Sequence, residues 1–202
     1  MNKIKAIETE YNGLKFRSRL EARWAVFLDA VGIKYLYEPE GFEFEDGTRY
    51  LPDFYLPDSH QFLEVKGVQT ERDWHKVDCL IDEGQDVVVG FSDMSFRAWN
   101  WDWGPLEGPK VLRYSNEDES YLVRCAKCGK YYFMAELGTY ECRACGHYDG
   151  NATFELEVLS GDRRYDKCFP NYLKDAVKKA KQARFEHGEC VVPDRKEEDD
   201  DE

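Results

Sequence analysis

Asp53, Glu64 and Lys66 lie in the run YLPDFYLPDSHQFLEVKG, Tyr50 to Gly67. The run reads as two strands, Tyr50–Leu56 and Gln61–Lys66, joined by a turn carrying Pro57, Asp58 and Ser59. A loop closing symmetrically about Asp58 and Ser59 pairs Leu56 with Gln61 and Phe54 with Leu63, so that Asp53 faces Glu64. Period two along the second strand sends Phe62, Glu64 and Lys66 to one face and Leu63 and Val65 to the other. Like charges opposed across a hairpin, with Cβ atoms about 5 Å apart, destabilise it unless something neutralises them. A divalent cation does so, and hard oxygen ligands suit Mg2+ or Mn2+. The alternative is an exposed strand in which Lys66 screens Glu64.

A second set of ligands is sulfur. Cys125-Ala-Lys-Cys128-Gly and Cys142-Arg-Ala-Cys145-Gly are two C-x-x-C-G knuckles, spaced for a closed four-thiolate Zn2+ site of structural type. The segment resembles a zinc ribbon, with Lys130–Met134 and Thr139–Glu141 as the strands of its hairpin and Gly138 near the turn. A redox role for one pair is the alternative, but no thioredoxin-like strand and helix pattern surrounds it. His147 is superfluous once four thiolates bind, Cys79 reads as helix packing, and Cys168 and Cys190 have no paired motif. Arg124, Lys127, Lys130 and Arg143 are either phosphate contacts or ordinary solvated charges.

Two helices and a buried strand must position the acidic group. Ser18 and Glu21 form S-x-x-E, a capping box, ahead of the apolar stripe Leu20, Trp24, Phe27, Leu28 and Val31, which stops at Gly32. Glu21 has two competing roles: it reaches back to the Ser18 amide, or its carboxylate points along the core toward the hairpin. Ile33–Tyr37 and Phe42–Phe44 read as strands. Thr70 and Asp73 start a second helix with Trp74, Val77, Leu80 and Ile81 inward, ended by Gly84. Asp86–Phe91, a continuous apolar run, is a strand covered on both faces and parallel to the hairpin strand across the helix.

Pro52-Asp53 followed by Glu64-Val65-Lys66, on elements in the order helix, three strands, helix, strand, is similar to the signature of the PD-(D/E)XK nucleases. The resemblance covers residues from about 10 to 92 and implies an α/β fold with a restriction-endonuclease-like αβββαβ core and a mixed sheet. It also implies a Mg2+- or Mn2+-dependent deoxyribonuclease, endonuclease or exonuclease, with Asp53, Glu64 and the Val65 carbonyl on the metal. Lys66 would position the attacking water or stabilise charge on the phosphate, and Glu21 would extend the site from the first helix. The competing class is a nucleic-acid or protein binding module that does not turn over.

The chain has 202 residues and a formal charge of −13, of which Glu197–Glu202 supplies six negatives, leaving −7. An acidic body argues against non-specific coating of DNA, which runs on phosphate neutralisation. No apolar run approaches the ~20 residues of a membrane span and the start lacks a signal-peptide core, so the expectation is a soluble, cytoplasmic protein without membrane contact. The expected domains are 1–95, the core; 96–120, a connector; 121–150, the ribbon; 151–190, a basic helical region; and 191–202, a disordered acidic tail. In the connector Trp99, Trp101 and Trp103 share one strand face, read as docking the second domain on the first, or as a base-stacking platform. In the basic helix Lys174, Lys178 and Lys181 form an outer stripe joined by Lys179 and Arg184, a solvated face or a contact for phosphates. DNA is the expected partner, with a second copy of the chain or another protein left open.

Overall fold

The structure is a computed structural model that describes residues 6–67, 70–102, 110–112, 120–135, 141–148, 154–160 and 171–185. An antiparallel pair, β1 (Thr9–Tyr11) and β2 (Leu14–Phe16), leads into α1 (Arg19–Val31). Ser18 is the N-cap and accepts from the Glu21 amide, and Gly32 ends the helix with φ 82°, a left-handed conformation that glycine adopts without steric cost. The amide of Ile33 then bonds back to Leu28 O and its side chain is buried, so the expected strand from Ile33 shrinks to β3 (Leu36–Tyr37).

The expected strand Tyr50–Leu56 is also broken. β4 (Phe42–Glu43) and β5 (Arg49–Tyr50) form a separate ribbon, and β6 (Phe54–Leu56) starts afresh beyond Pro52, which has no N–H for a ladder. β6 pairs with β7 (Gln61–Lys66) in the expected register, Leu56 with Gln61 and Phe54 with Leu63. α2 (Glu71–Asp82), capped reciprocally by Thr70 and Asp73, returns the chain to β8 (Asp86–Phe91), which lies parallel to β7.

The sheet continues past the expected boundary at residue 95. β9 (Phe96–Asp102) pairs antiparallel with β8, and β10 (Lys110–Leu112) pairs with β9, giving a six-stranded mixed sheet in the order β10-β9-β8-β7-β6-β3. The segment from 96 is therefore an edge of the core sheet. Trp99 packs edge-on to Trp74 of α2 rather than docking a second domain; the Trp101 side chain and Trp103 lie outside the described residues.

Alternation along β7 and β8 divides the interior into two layers. Leu63, Val65 and Val88 face α1, while Phe62, Val87 and Val89 meet Val77, Leu80 and Ile81 of α2. Contact with α1 is so close that a Cβ at Gly90 would lie 2.5 Å from the Trp24 ring, whose Nε1 donates to Phe91 O. Any side chain there would force the indole out, at a cost of about 1–3 kcal/mol.

The cysteine segment is built on β11 (Tyr121–Cys125), flanked by β12 (Tyr131–Met134) and β13 (Phe154–Ser160) in a three-stranded antiparallel sheet. The expected second ribbon strand is not formed at Glu141, and Gly138, Thr139 and Tyr140 lie outside the described residues. Leu122 and Phe133 belong to the same hydrophobic cluster as α1, so the ribbon is packed into the core. Buried Gln61 fixes the join: its Nε2 donates to Phe133 O at 2.7 Å and its Oε1 accepts from Phe133 N at 2.9 Å. α3 (Asn171–Gln182) adds Leu173, Ala176, Val177 and Ala180 to that cluster. Residues 186–202, including Cys190 and the acidic tail, and Cys168 lie outside the described residues. No helix among the described residues is long and apolar enough to cross a membrane.

Candidate functional site

β7, the β4–β5 ribbon, the start of α1 and Lys76 of α2 border an open cleft of about 860 Å³ lined by Arg17, Glu21, Tyr50, Asp53, Glu64 and Lys66, among others. The hairpin ladder closes at Phe54, and Asp53 leaves it just opposite Glu64, with both carboxylates buried. Asp53 Oδ2 accepts from the Val65 amide at 2.8 Å and Oδ1 from Arg17 Nη2 at 2.9 Å. Glu64 Oε2 accepts from the buried Tyr50 hydroxyl at 2.7 Å, and Oε1 is paired with Lys66 Nζ. Lys66 also reaches Asp73 at the first turn of α2, 3.3 Å away. The sequence-predicted trio is thus assembled, Glu64 and Lys66 from β7 and Asp53 from the residue just before β6.

Burial, then the charges of Glu64 and Glu21, push the Asp53 carboxyl well above its ordinary range, despite the Val65 amide and Lys66. Two neighbouring acids out of water cannot both ionise cheaply without a cation. Burial works against the charged form of Lys66, but Glu64, Asp53 and Asp73 outweigh it and raise its pKa. Lys66 therefore carries a charge at neutral pH and cannot serve as a proton acceptor there. Tyr50 is held in its protonated form by burial and by Glu64.

Glu21 takes the second of its two roles and turns its carboxylate to the cleft. Its carboxylate does not return to the Ser18 amide; Oε1 accepts from Ser18 Oγ at 2.6 Å, and Oε2 accepts from the Arg17 amide at 3.1 Å and the Tyr37 hydroxyl at 2.6 Å. It remains buried and lines the cleft. Glu21, Asp53 and Glu64 are not among the described groups of three or more ligands whose atoms lie within 4.8 Å, so the three carboxylates line one cleft without closing on one point.

Three basic residues that sequence reasoning did not single out, Arg17, Arg49 and Lys76, line the cleft. Arg17 joins Asp53 and Glu38, and Lys76 lies over the Tyr50 ring at 5.8 Å. Nothing in the one-dimensional pattern marks them, because Arg17 precedes a cap, Arg49 sits on a two-residue strand and Lys76 is on the polar side of α2. By contrast Lys174, Lys178 and Lys181 are on α3, whose apolar face packs against α1, and do not line the cleft. Arg143 is 3.6 Å from buried Asp86, which accepts from Tyr132 Oη at 2.5 Å; this places Arg143 at the joint between ribbon and core rather than on a phosphate-contact surface. Lys130 similarly pairs with Asp58 in the β6–β7 turn at 2.8 Å.

The second ligand group is compact. Cys125, Cys128, Cys142 and Cys145 have all four sulfurs within 4.8 Å of one another, with Sγ–Sγ distances of 3.8 Å for Cys125 to Cys145 and 3.6 Å for Cys128 to Cys142. A tetrahedron with metal–sulfur bonds of about 2.3 Å has edges of roughly 3.8 Å, so the four thiols fit a metal such as zinc. Gly129 and Gly146 follow their knuckles with φ 71° and 64°, and their amides bond back to Cys125 O and Cys142 O. That return requires a positive φ, which explains the glycine after each C-x-x-C. Compared with known proteins, the chain matches no family model and no curated sequence.

Proposed function

We propose that this protein is a metal-dependent nuclease of the PD-(D/E)XK type that hydrolyses DNA phosphodiester bonds. The observation that carries the reading is the pairing of Asp53 and Glu64, two buried carboxylates aligned across a hairpin at the floor of an open cleft, with Lys66 charged beside them. Their oxygens are hard donors, and burial, then the charges of Glu64 and Glu21, raise the Asp53 carboxyl, a shift that a bound cation would oppose. Asp53 and Glu64, with the Val65 carbonyl, would hold Mg2+ or Mn2+. Such an ion polarises a phosphate and lowers the pKa of water. Lys66 supplies a fixed positive charge for the phosphate as negative charge develops on it. Arg17, Arg49 and Lys76 offer the cleft phosphate contacts that an overall acidic chain otherwise lacks. The four-cysteine group holds Zn2+ as a structural ion, and the ribbon built on it aids DNA recognition.

A second reading, nucleic-acid binding without turnover, is favoured by one observation: every oxygen of Asp53 and Glu64 already has a protein partner. A metal would then have to displace Arg17 and Lys66. The two readings separate on a panel of plasmid, single-stranded and branched DNA, each incubated with Mg2+, Mn2+ or chelator. The nuclease reading expects cut product on at least one substrate with metal and none with chelator; retention of all three intact with measurable binding favours the second.

A further inference from the structure

We infer that Asp46, His75 and Cys79 form a transition-metal site, separate from both the acidic cleft and the cysteine knuckles, that takes Zn2+ or a similar borderline ion. His75 and Cys79 are four residues apart on α2 and so project from one face, one turn apart. Asp46 comes from the turn between β4 and β5, where Gly47 N bonds to Phe44 O. The three ligand atoms lie within 4.8 Å of one another. His75 Nε2 is 2.7 Å from Asp46 Oδ2 and 3.7 Å from Cys79 Sγ. Thr48 orients the carboxylate, its amide donating to Oδ1 at 2.8 Å and its hydroxyl to Oδ2 at 2.9 Å, as groups behind a metal ligand do.

Two simpler readings account for less. A surface Asp–His ion pair explains the 2.7 Å contact but leaves the thiol, which the i, i+4 spacing brings to the same nitrogen, without a role. A Cys–His–Asp relay requires the acid on one ring nitrogen and the nucleophile on the other, because the imidazole must pass a proton between them. Here both partners converge on Nε2. Three ligand atoms of different chemistry lie within bridging distance of one ion, with the Thr48 hydroxyl also 3.4 Å from Nε2. With metal–ligand bonds of about 2.0–2.3 Å the edges of such a site are roughly 3.3–3.7 Å, so the sulfur is already at its distance and the carboxylate must retreat by about half an ångström. Asp46 and His75 are half exposed and free to make that adjustment.

The donor set fixes the class of ion. Thiolate and imidazole select zinc or cobalt over Mg2+ and Ca2+, and three protein ligands leave a fourth position open to water. Occupation would tie the β4–β5 ribbon to α2. Those two elements bring Arg49, Tyr50 and Lys76 to the cleft, so the ion would brace one of its walls.

The test is metal content, which does not depend on cleavage and so fails or succeeds separately from the nuclease reading. The full chain and the variants Asp46→Asn, His75→Ala and Cys79→Ala are dialysed against a modest excess of free Zn2+ and analysed for zinc per chain by mass spectrometry. Wild type is expected to hold one more zinc per chain than each variant. Cobalt added to protein that carries only the zinc of its four-cysteine site is expected to give thiolate-to-cobalt absorption that disappears in Cys79→Ala. Since Asp46 is an exposed turn residue, Asp46→Asn keeps the comparison valid should either α2 variant fold poorly. Equal zinc content in wild type and Asp46→Asn, with no thiolate-to-cobalt band in wild type, overturns the proposal.

Discussion

The acidic cleft and the cysteine knuckles are both concentrations of ligand atoms, yet they differ in what else those atoms touch. In the cleft each carboxylate oxygen of Asp53 and Glu64 is partnered by Arg17, the Val65 amide, Tyr50 or Lys66. In the knuckles the sulfurs face chiefly one another and a few turn amides, such as those of Lys127 and Cys128 at Cys125. The comparison separates two kinds of site. A site satisfied by protein groups can assemble first and take up an ion when it works, whereas a site whose ligands lack other strong partners depends on its ion for folding.

The largest effect should follow from breaking the thiol site. Thiolate ligation of zinc supplies folding free energy on the order of 10 kcal/mol to small modules, and the β11–β12–β13 sheet is such a module. Because Leu122 and Phe133 lie in the core cluster, the loss should reach the core as well. Zinc stripping, or Cys142→Ser, is expected to lower the melting temperature sharply, while withdrawal of Mg2+ leaves it nearly unchanged. A melt insensitive to zinc removal would erase the distinction between the two sites.

A smaller effect sharpens the same comparison at the joint. Gln61→Leu removes both hydrogen bonds from this side chain to the Phe133 main chain, a loss of about 1–3 kcal/mol. Urea denaturation should show a lower midpoint with an unchanged slope. A slope that falls, or a transition that splits in two, would mean that ribbon and core unfold as separate units.

Gln61 also shows where sequence reasoning stops. The register of β6 and β7 was legible because a four-residue turn centred on Asp58 and Ser59 permits only one symmetric pairing, and that register brought Asp53 opposite Glu64. The N-cap at Ser18, the capping box at Thr70 and the two glycine-ended knuckles are legible for the same reason: each is a local pattern with a local cause. What Gln61 does depends on Phe133, far along the chain, and nothing around either residue announces it. Likewise Arg17, Tyr37 and Tyr50 reach the acids only because α1 and the β4–β5 ribbon meet at the hairpin. Strand β9 reads from the sequence as a connector because the turn between β8 and β9 is made by Met94 at φ 67° with Asp93 and Ser95, without the glycine that marks a hairpin.

The central claim is that Asp53 and Lys66 act in chemistry rather than in holding the fold. Single-turnover cleavage of a labelled DNA, with Mg2+ at saturation, compares wild type with Asp53→Ala and Lys66→Ala, each first shown by its melt to be folded. The account predicts that both variants lose at least about a hundredfold in cleavage rate, the size expected when a preorganised electrostatic group is removed, while retaining DNA binding. Cleavage at the wild-type rate by either folded variant would contradict it.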